Sequence, residues 1–476
     1  MAGVPWGVPG SLVGVEGAVP HADRTNERAE VRRTWAQGEG PLRRRLVRPI
    51  QAFLHEESAG GVLLLAAAVA ALAWANSPWG AGYERLWHTQ LSIRLGPWGI
   101  SEDLRHWVND ALMSLFFLVV GLEIKRELVT GELREPRAAA LPAIAALGGM
   151  VVPALIYLAL NPGGEAARGW GIPMATDIAF AVGVLTLAAK VAPSGLKPFL
   201  LALAIVDDIG AIVVIALFYS EGVAWGPLLA AAGVCGLIAA AWRSSVRSAP
   251  VHVALGALLW IAVYASGVHP TIAGVAMGLL TPAVAFERPR TVSREAHRVA
   301  DETSDQPSPP DADAPQWLEL ARLAREAVSP LARVEASLHP WTSFVVVPVF
   351  ALANAGVRLS GEALRGAVGS RVTLGVLLGL VVGKTVGISV ATLGAARLHL
   401  APLPAGADRS DVVGTAAVAG IGFTVSLFIT ELAFADRALV DEAKVGILAA
   451  SVVAGALGFA LLSITRARAA SPSGEL

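Results

Sequence analysis

Four ionisable side chains stand in sequence otherwise apolar enough for lipid. Asp207 and Asp208 adjoin each other in AIVDDIGAIVV, inside an apolar run over 199–219, while Asp177 lies in ATDIAF and Lys384 in GLVVGKTVG. A charge at the centre of a membrane helix costs about 2.5–3.5 kcal/mol on insertion scales, so four cost on the order of 10 kcal/mol if ionised and unpaired. They must pair, take up protons or line a wet cavity. Successive helical residues point about 100° apart, so Asp207 and Asp208 cannot both face one partner squarely. One can meet a neighbouring helix while the other faces a cavity. Adjacent carboxylates in apolar surroundings can exchange a proton for a metal cation, and their oxygens suit hard cations. The same pair could instead bond internally within a bundle.

Asp177 and Lys384 each admit more than one role. Unwound backbone around Asp177 would free carbonyls as cation ligands, with the Thr176 hydroxyl beside them. Asp177 could equally cap the exposed amides of a half-helix, and the two roles are compatible. Lys384 could be the counter-ion of an aspartate, a proton carrier, or a lysine that snorkels to the interface. It is no phosphate-loop lysine, because the first glycine of that motif is replaced by Leu378. Lesser candidates sit at the edges of apolar runs. Asp110 and Glu123 bracket one run, with Lys125, Arg126 and Glu127 just beyond; His269 follows another; Glu335 precedes His339-Pro340-Trp341. These could be interface anchors, or a cluster of acids and His that tunes ion access with pH.

The elements that position these residues are membrane helices. Of 476 residues, 54% are hydrophobic and only 16% charged, against roughly 25% charged in soluble domains; the mean hydropathy is +0.59. A net charge of −1 offers nothing to nucleic acid, the nine His form no metal-spaced cluster, and a single Cys235 permits no internal disulfide. A bilayer core of about 30 Å needs roughly 20 apolar residues per helix. Suitable runs lie near 58–76, 107–124, 138–160, 197–219, 224–242, 251–266, 342–356, 372–396, 412–434 and 444–464, with two shorter, broken ones at 171–190 and 268–282. The expectation is an all-α polytopic membrane protein of about twelve spans. With the N-terminus inside, inner segments carry 27 Lys and Arg and outer loops 8, which places both termini in the cytoplasm.

Segments between the spans complete the layout. Residues 1–50 read as a disordered basic cytoplasmic tail without a signal peptide, and 467–476 as a second cytoplasmic tail. Residues 89–101 alternate and then turn at Gly96-Pro97-Trp98-Gly99, which predicts a small β-hairpin outside the membrane. Residues 283–335 read as a partly disordered cytoplasmic linker with a surface helix over 317–328. The linker divides an N-terminal membrane part, 51–282 with spans one to eight, from a C-terminal part, 336–466 with spans nine to twelve. Three spans with an interrupted middle member occur at 138–219 and again at 372–464. Matching members lie seven spans apart, an odd number, so the two repeats are inverted. Gly/Pro-interrupted spans in matching positions point to a transporter binding site.

Longer strings carry a family resemblance: NDALMSLFFLVVGLEIKREL, GGMVVPALIYLA, ATDIAFAVGVL, FLLALAIVDDIGAIVVIALFY, SGVHPTIAGV, LHPW, FALANAGV, GKTVGI and GIGFTVSLFI. Through them, residues 53–465 resemble the NhaA family of bacterial sodium–proton antiporters. The resemblance implies twelve helices, an inverted repeat and two interrupted helices crossing at mid-membrane, in a bacterial plasma membrane. It implies Asp208 as the central ion ligand with Asp207 beside it, Lys384 as the salt-bridge partner of Asp207, and Asp177 and Thr176 as charge-compensating and ligand-supplying residues at the crossing. It further implies a pH response through Glu123, Arg126, Glu127, His269 and Glu335, and a homodimer through hairpin 89–101. Substrates would be sodium or lithium and protons, with no cofactor and no enzymatic reaction. Residues 1–50 and the linker near 287–330 lack counterparts in shorter members, and Ala336 stands where some members have a His after the Glu.

Two rival readings remain. A sodium-coupled symporter would use the same crossing for sodium and carry an organic anion; sodium-dependent solute uptake without proton movement would favour it. An intramembrane aspartyl protease would pair Asp177 with Asp208, but its GxGD string is absent and the nearest text is VDDIG. Peptide cleavage abolished by either aspartate substitution would support it.

Overall fold

A computed structural model of the chain describes residues 59–96, 98–188, 193–220, 222–303, 313–359 and 361–470. The tail read over 1–50 and Lys190 lie outside them, as does 471–476. The described chain is mostly helical. It begins with α1 (Ala59–Ala75) and α2 (Gly80–Trp87), joined by a sharp bend of 115°. Then come β1 (Gln90–Leu95), β2 (Trp98–Asp103), α3 (Leu104–Val129) and α4 (Pro136–Leu160). A 3₁₀ segment, Glu165–Met174, leads through extended Ala175 into α5 (Ile178–Ala188). Helices α6 (Leu196–Phe218), α7 (Trp225–Arg243), α8 (Ala249–Ala265) and α9 (Thr271–Leu280) follow.

The linker is more helical than its composition suggests. It holds α10 (Pro289–Thr303) and α11 (Ala314–Glu326) where one surface helix was expected. Arg–Glu pairs at helical spacing support both: Arg298 reaches Glu295 and, at 2.9 Å, Glu302, and Arg322 meets Glu319 at 2.8 Å. The next helix, α12 (Pro330–Asn354), starts before the boundary read at 336. Pro330 is preorganised for a first helical turn, and the Ser329 hydroxyl accepts from Ala332 N–H at 3.2 Å. The chain closes with α13 (Gly361–Gly369), α14 (Arg371–Arg397), α15 (Arg409–Val418), α16 (Phe423–Ala433) and α17 (Arg437–Ala470).

Among the described residues, seven helices are long and apolar enough to cross a membrane: α3, α4, α6, α7, α12, α14 and α17. Three bent helix pairs also pass that test, and α8 and α9 are shorter apolar helices. Large apolar side chains such as Leu217, Leu229, Val253 and Val452 remain exposed around the bundle, as lipid-facing residues must. The two strands form an antiparallel hairpin in which Ile93 opposes Ile100 and Leu91 opposes Glu102, turning at Gly96 with φ +61°. It defines one end of the bundle, the hairpin side; α10 and α11 define the linker side.

Close backbone contact seats the central helices. On α14, Gly383 and Gly387 face α4: a Cβ on Gly387 would stand 2.2 Å from Gly148 O, and one on Gly383 2.8 Å from Pro153 Cα. Small residues let membrane helices approach this closely. A wide turn over Gly379–Gly383 immediately precedes Lys384, a local widening common at functional positions.

Candidate functional site

The two interrupted spans meet at their breaks. The first comprises the 3₁₀ segment and α5, bent by 42°; the second comprises α15 and α16, bent by 49° at Gly420–Gly422. Each break frees backbone groups that have no water to bond, so they bond each other or a side chain. Asp177 N–H donates to Ile421 O at 2.6 Å, and the Thr176 hydroxyl lies 2.9 Å from Ala419 O. The Asp177 carboxylate accepts from Phe180 N–H at 3.2 Å on its own half-helix. Across the crossing it accepts from Thr424 N–H at 3.0 Å and from the Thr424 hydroxyl. One carboxylate thus caps α5 and α16 together, where two helix N-termini bring positive dipole ends to one point.

Beside this cap lies a buried polar triad. Asp207, Lys384 and Thr176 are each at most 1% exposed. Lys384 Nζ donates to Asp207 Oδ2, forming an ion pair, and to Thr176 Oγ1 at 3.0 Å. Thr176 Oγ1 also lies 2.8 Å from Asp207 Oδ2, so its single proton is shared between that oxygen and Ala419 O. Asp207 Oδ1 is buried without a hydrogen bond among the described residues. Asp208, on the next position of α6, is 5% exposed. No hydrogen bond or ion pair reaches it among the described residues, while Glu123 and Asp177 lie within electrostatic reach. The adjacent acids therefore differ: one is spent on a lysine and a hydroxyl, the other keeps its oxygens for something else.

The edge residues do not form one cluster. On the linker side, Arg126 pairs with Glu335 of α12 and approaches Glu127 at 3.7 Å, while Glu127 also accepts from Glu132 N–H at 3.0 Å. Glu123 is one turn away on α3. His269 sits apart, on the hairpin side. Its Nε2 is 3.4 Å from Asp110 Oδ1, its Nδ1 is 2.8 Å from the Thr271 hydroxyl, and its ring meets Phe428 edge-on at 5.2 Å. Asp110 and Glu123 stand about 20 Å apart along α3, so the histidine and the acid–arginine group are separate.

Comparison with known proteins settles the family. The model of the family described as Na+/H+ antiporter 1 matches residues 51–462. The Na(+)/H(+) antiporter NhaA of Anaeromyxobacter sp. (strain Fw109-5) is 50% identical over 441 residues, covering 92% of this chain and 96% of the relative. The chain belongs to the NhaA family of Na+/H+ antiporters. The Na(+)/H(+) antiporter NhaA 2 of Sorangium cellulosum (strain So ce56) is 46% identical, covering 88% and 90% of the two chains. The Na(+)/H(+) antiporter NhaA of Janthinobacterium sp. (strain Marseille) is 47% identical, covering 88% and 93% of the two chains.

This NhaA-family chain holds further buried polar contacts that its sequence conceals. Thr424 gives Asp177 both its amide and its hydroxyl; the string AVAGIGFTVSLF marks a Thr near a break but not its partner. Asn354 Nδ2 bonds Asn109 Oδ1 at 2.8 Å, tying α12 to α3. Lys444 and Glu431 form a second enclosed ion pair at 2.6 Å. Both sit at the ends of apolar runs, where charges read as ordinary interface residues.

Proposed function

We propose that the chain is a pH-regulated, electrogenic antiporter that expels sodium or lithium from a bacterial cell in exchange for external protons. The observation that carries this reading is Asp208, a buried carboxylate with no protein partner among the described residues, one position from an acid already committed to Lys384. A carboxylate so placed needs a proton or a cation, and the two compete for its oxygens. In the proposed cycle a hydrated path from the cytoplasm reaches Asp208. The cation binds there with Asp207 and displaces protons, the core rocks, and the cation leaves outside while external protons reload the site. Asp177 keeps the crossing neutral and Thr176 supplies a hydroxyl. If Asp207 turns from Lys384 toward the cation, Lys384 can release a proton of its own, raising the proton count per cation. No cofactor takes part.

The same reading extends to the molecule. Seven spans, the two spans broken at the crossing, α1, α8 and α9 together make twelve in this reading. The sets α4–break–α6 and α14–break–α17 form an inverted repeat around a mid-membrane site. Both termini are cytoplasmic in a plasma membrane, so the hairpin side faces outward, and the hairpin joins two copies. Glu123, Arg126, Glu127, Glu335 and, at the opposite end, His269 adjust activity with pH. The test is sodium- or lithium-dependent dissipation of a pH gradient in proteoliposomes. Asp208→Asn is expected to abolish it; normal exchange by that variant would refute the site assignment.

A further inference from the structure

The half-helix α16 is enclosed over most of its length: every residue from Phe423 to Thr430 is buried, and Glu431 and Leu432 near its end are half-buried. Its start is fixed at the crossing by Asp177. Ser426 Oγ donates to Ile172 O at 2.7 Å, fastening α16 to the 3₁₀ segment of the other broken span. Beyond the end of α16, Glu165 Oε1 accepts from Ala435 N–H at 3.0 Å and Asp436 N–H at 3.1 Å. The hairpin-side halves of both broken spans are therefore one block, tied at the crossing, along its length and at its tip.

At the tip stands Glu431. Its carboxylate is 2.6 Å from Lys444 Nζ and 3.4 Å from Arg437 Nη1 on α17. Lys444 is 2% exposed. Arg105, itself 4% exposed and 3.5 Å from Glu84, lies within electrostatic reach of Glu431. Because α16 is buried from Phe423 to Thr430, with Phe428 against Phe117 of α3 and Phe350 of α12, water reaches the crossing from the hairpin side only if this block moves against α17, α3 or α12. The Glu431–Lys444 pair spans the α16–α17 side of that boundary.

We propose that Glu431 and Lys444 are positioning residues for transport: a latch that closes the hairpin side of the path and parts when the carrier opens there. The inference rests on the antiport reading above. A latch present in one state and absent in the other biases the equilibrium between them, and a ligand entering the disfavoured state shows a weaker apparent affinity. The latch removed with both of its charges together, as Glu431→Gln with Lys444→Met, shifts the population toward the hairpin-side-open state.

The test measures sodium-dependent exchange by the full chain in inside-out and right-side-out vesicles. The double variant should raise the sodium KM from the linker side by about fivefold or more, leave KM from the hairpin side unraised, and keep maximum rates within about threefold. Lys444→Arg, which keeps the charge, should keep both parental KM values. Unchanged KM on both sides overturns the latch, and so does a fall in rate and thermal stability with no sided change in KM. Absence of sodium-dependent exchange in the parent chain would overturn the antiport reading itself, and the latch with it.

Discussion

At the residue scale, the acids at the crossing are distinguished by their partners more than by their depth. Asp177 takes its donors from two half-helices, Asp207 takes a lysine and a hydroxyl, and Asp208 takes nothing among the described residues. The Asp207–Lys384 pair has a consequence for stability. Attraction in a dry site offsets the cost of burying each charge, whereas removing one partner strands the other at about 3–5 kcal/mol. Lys384→Met should therefore lower the melting temperature of the purified protein sharply. Asp207→Asn combined with Lys384→Met should recover much of the loss, because no charge is left alone. Equal losses in the single and double variants would mean that packing around the lysine stem, and not the pair, holds the site. Exchange activity should be low in both, since the charge that would balance the proposed cation site is gone.

At the element scale, helix contact and helix capping decide where these side chains stand. The α4–α14 seam permits no side chain at Gly387, where a Cβ would lie 2.2 Å from Gly148 O; Gly394, ten ångström or so further along by helical rise, has nothing within 4 Å. Gly387→Val should push the helices apart, displace Lys384 and abolish exchange, while Gly394→Ala should leave exchange intact; equal tolerance would show that the seam does not position the lysine. The hairpin joins α3 through Asp103, which ends β2 and accepts from His106 N–H and the His106 ring, each at 2.8 Å, and from the His88 ring at 3.0 Å. Burial alone pushes this carboxyl upward, but those three bonds together outweigh it and hold Asp103 below its ordinary 3.8. A depressed folded value means stability that is complete above the ordinary value and is lost as pH falls through the folded one. The melting-temperature gap between the parent and Asp103→Ala should accordingly narrow in strong acid, and part of it should also fade as pH rises through the raised range of His106, whose charge Asp103 supports. Much of this architecture was legible in the sequence. Charges in apolar runs exposed Asp177, Asp207, Asp208 and Lys384, alternation around Ile93 exposed the hairpin, and Gly or Pro beside Thr exposed the breaks. Which donor meets which carboxylate was not legible, because Thr424 and Ala419 reach the first broken span only through the fold. Nor was the Glu431–Lys444 pair, since edge charges look alike whether solvated or enclosed. Helix α10 was hidden by a charged composition whose helical pairing emerges only at three- and four-residue spacing.

At the scale of the whole molecule, α3 links two groups of ionisable residues at its opposite ends. Asp110 and His269 meet on the hairpin side, against Phe428 of the half-helix capped by Asp177. Arg126, Glu127 and Glu335 meet on the linker side, with Glu123 one turn closer to Asp208. Substitutions at distant sites that share no partner add in free energy to within about 0.3–0.5 kcal/mol. Residues in direct contact do not add. The pH at half-maximal sodium-dependent exchange, measured in inside-out vesicles, turns this geometry into a double-mutant test. Arg126→Gln and Glu335→Gln break the same ion pair, so the combined shift should fall well short of the sum of the single shifts. His269→Gln breaks a contact at the other end, so its shift should add to that of Glu335→Gln. Additivity would mean that each end sets its own access to the central site. A large departure from it would mean that α3 and α12, fastened to each other through Asn109 and Asn354, move as a single lever that carries protonation at one end to the other.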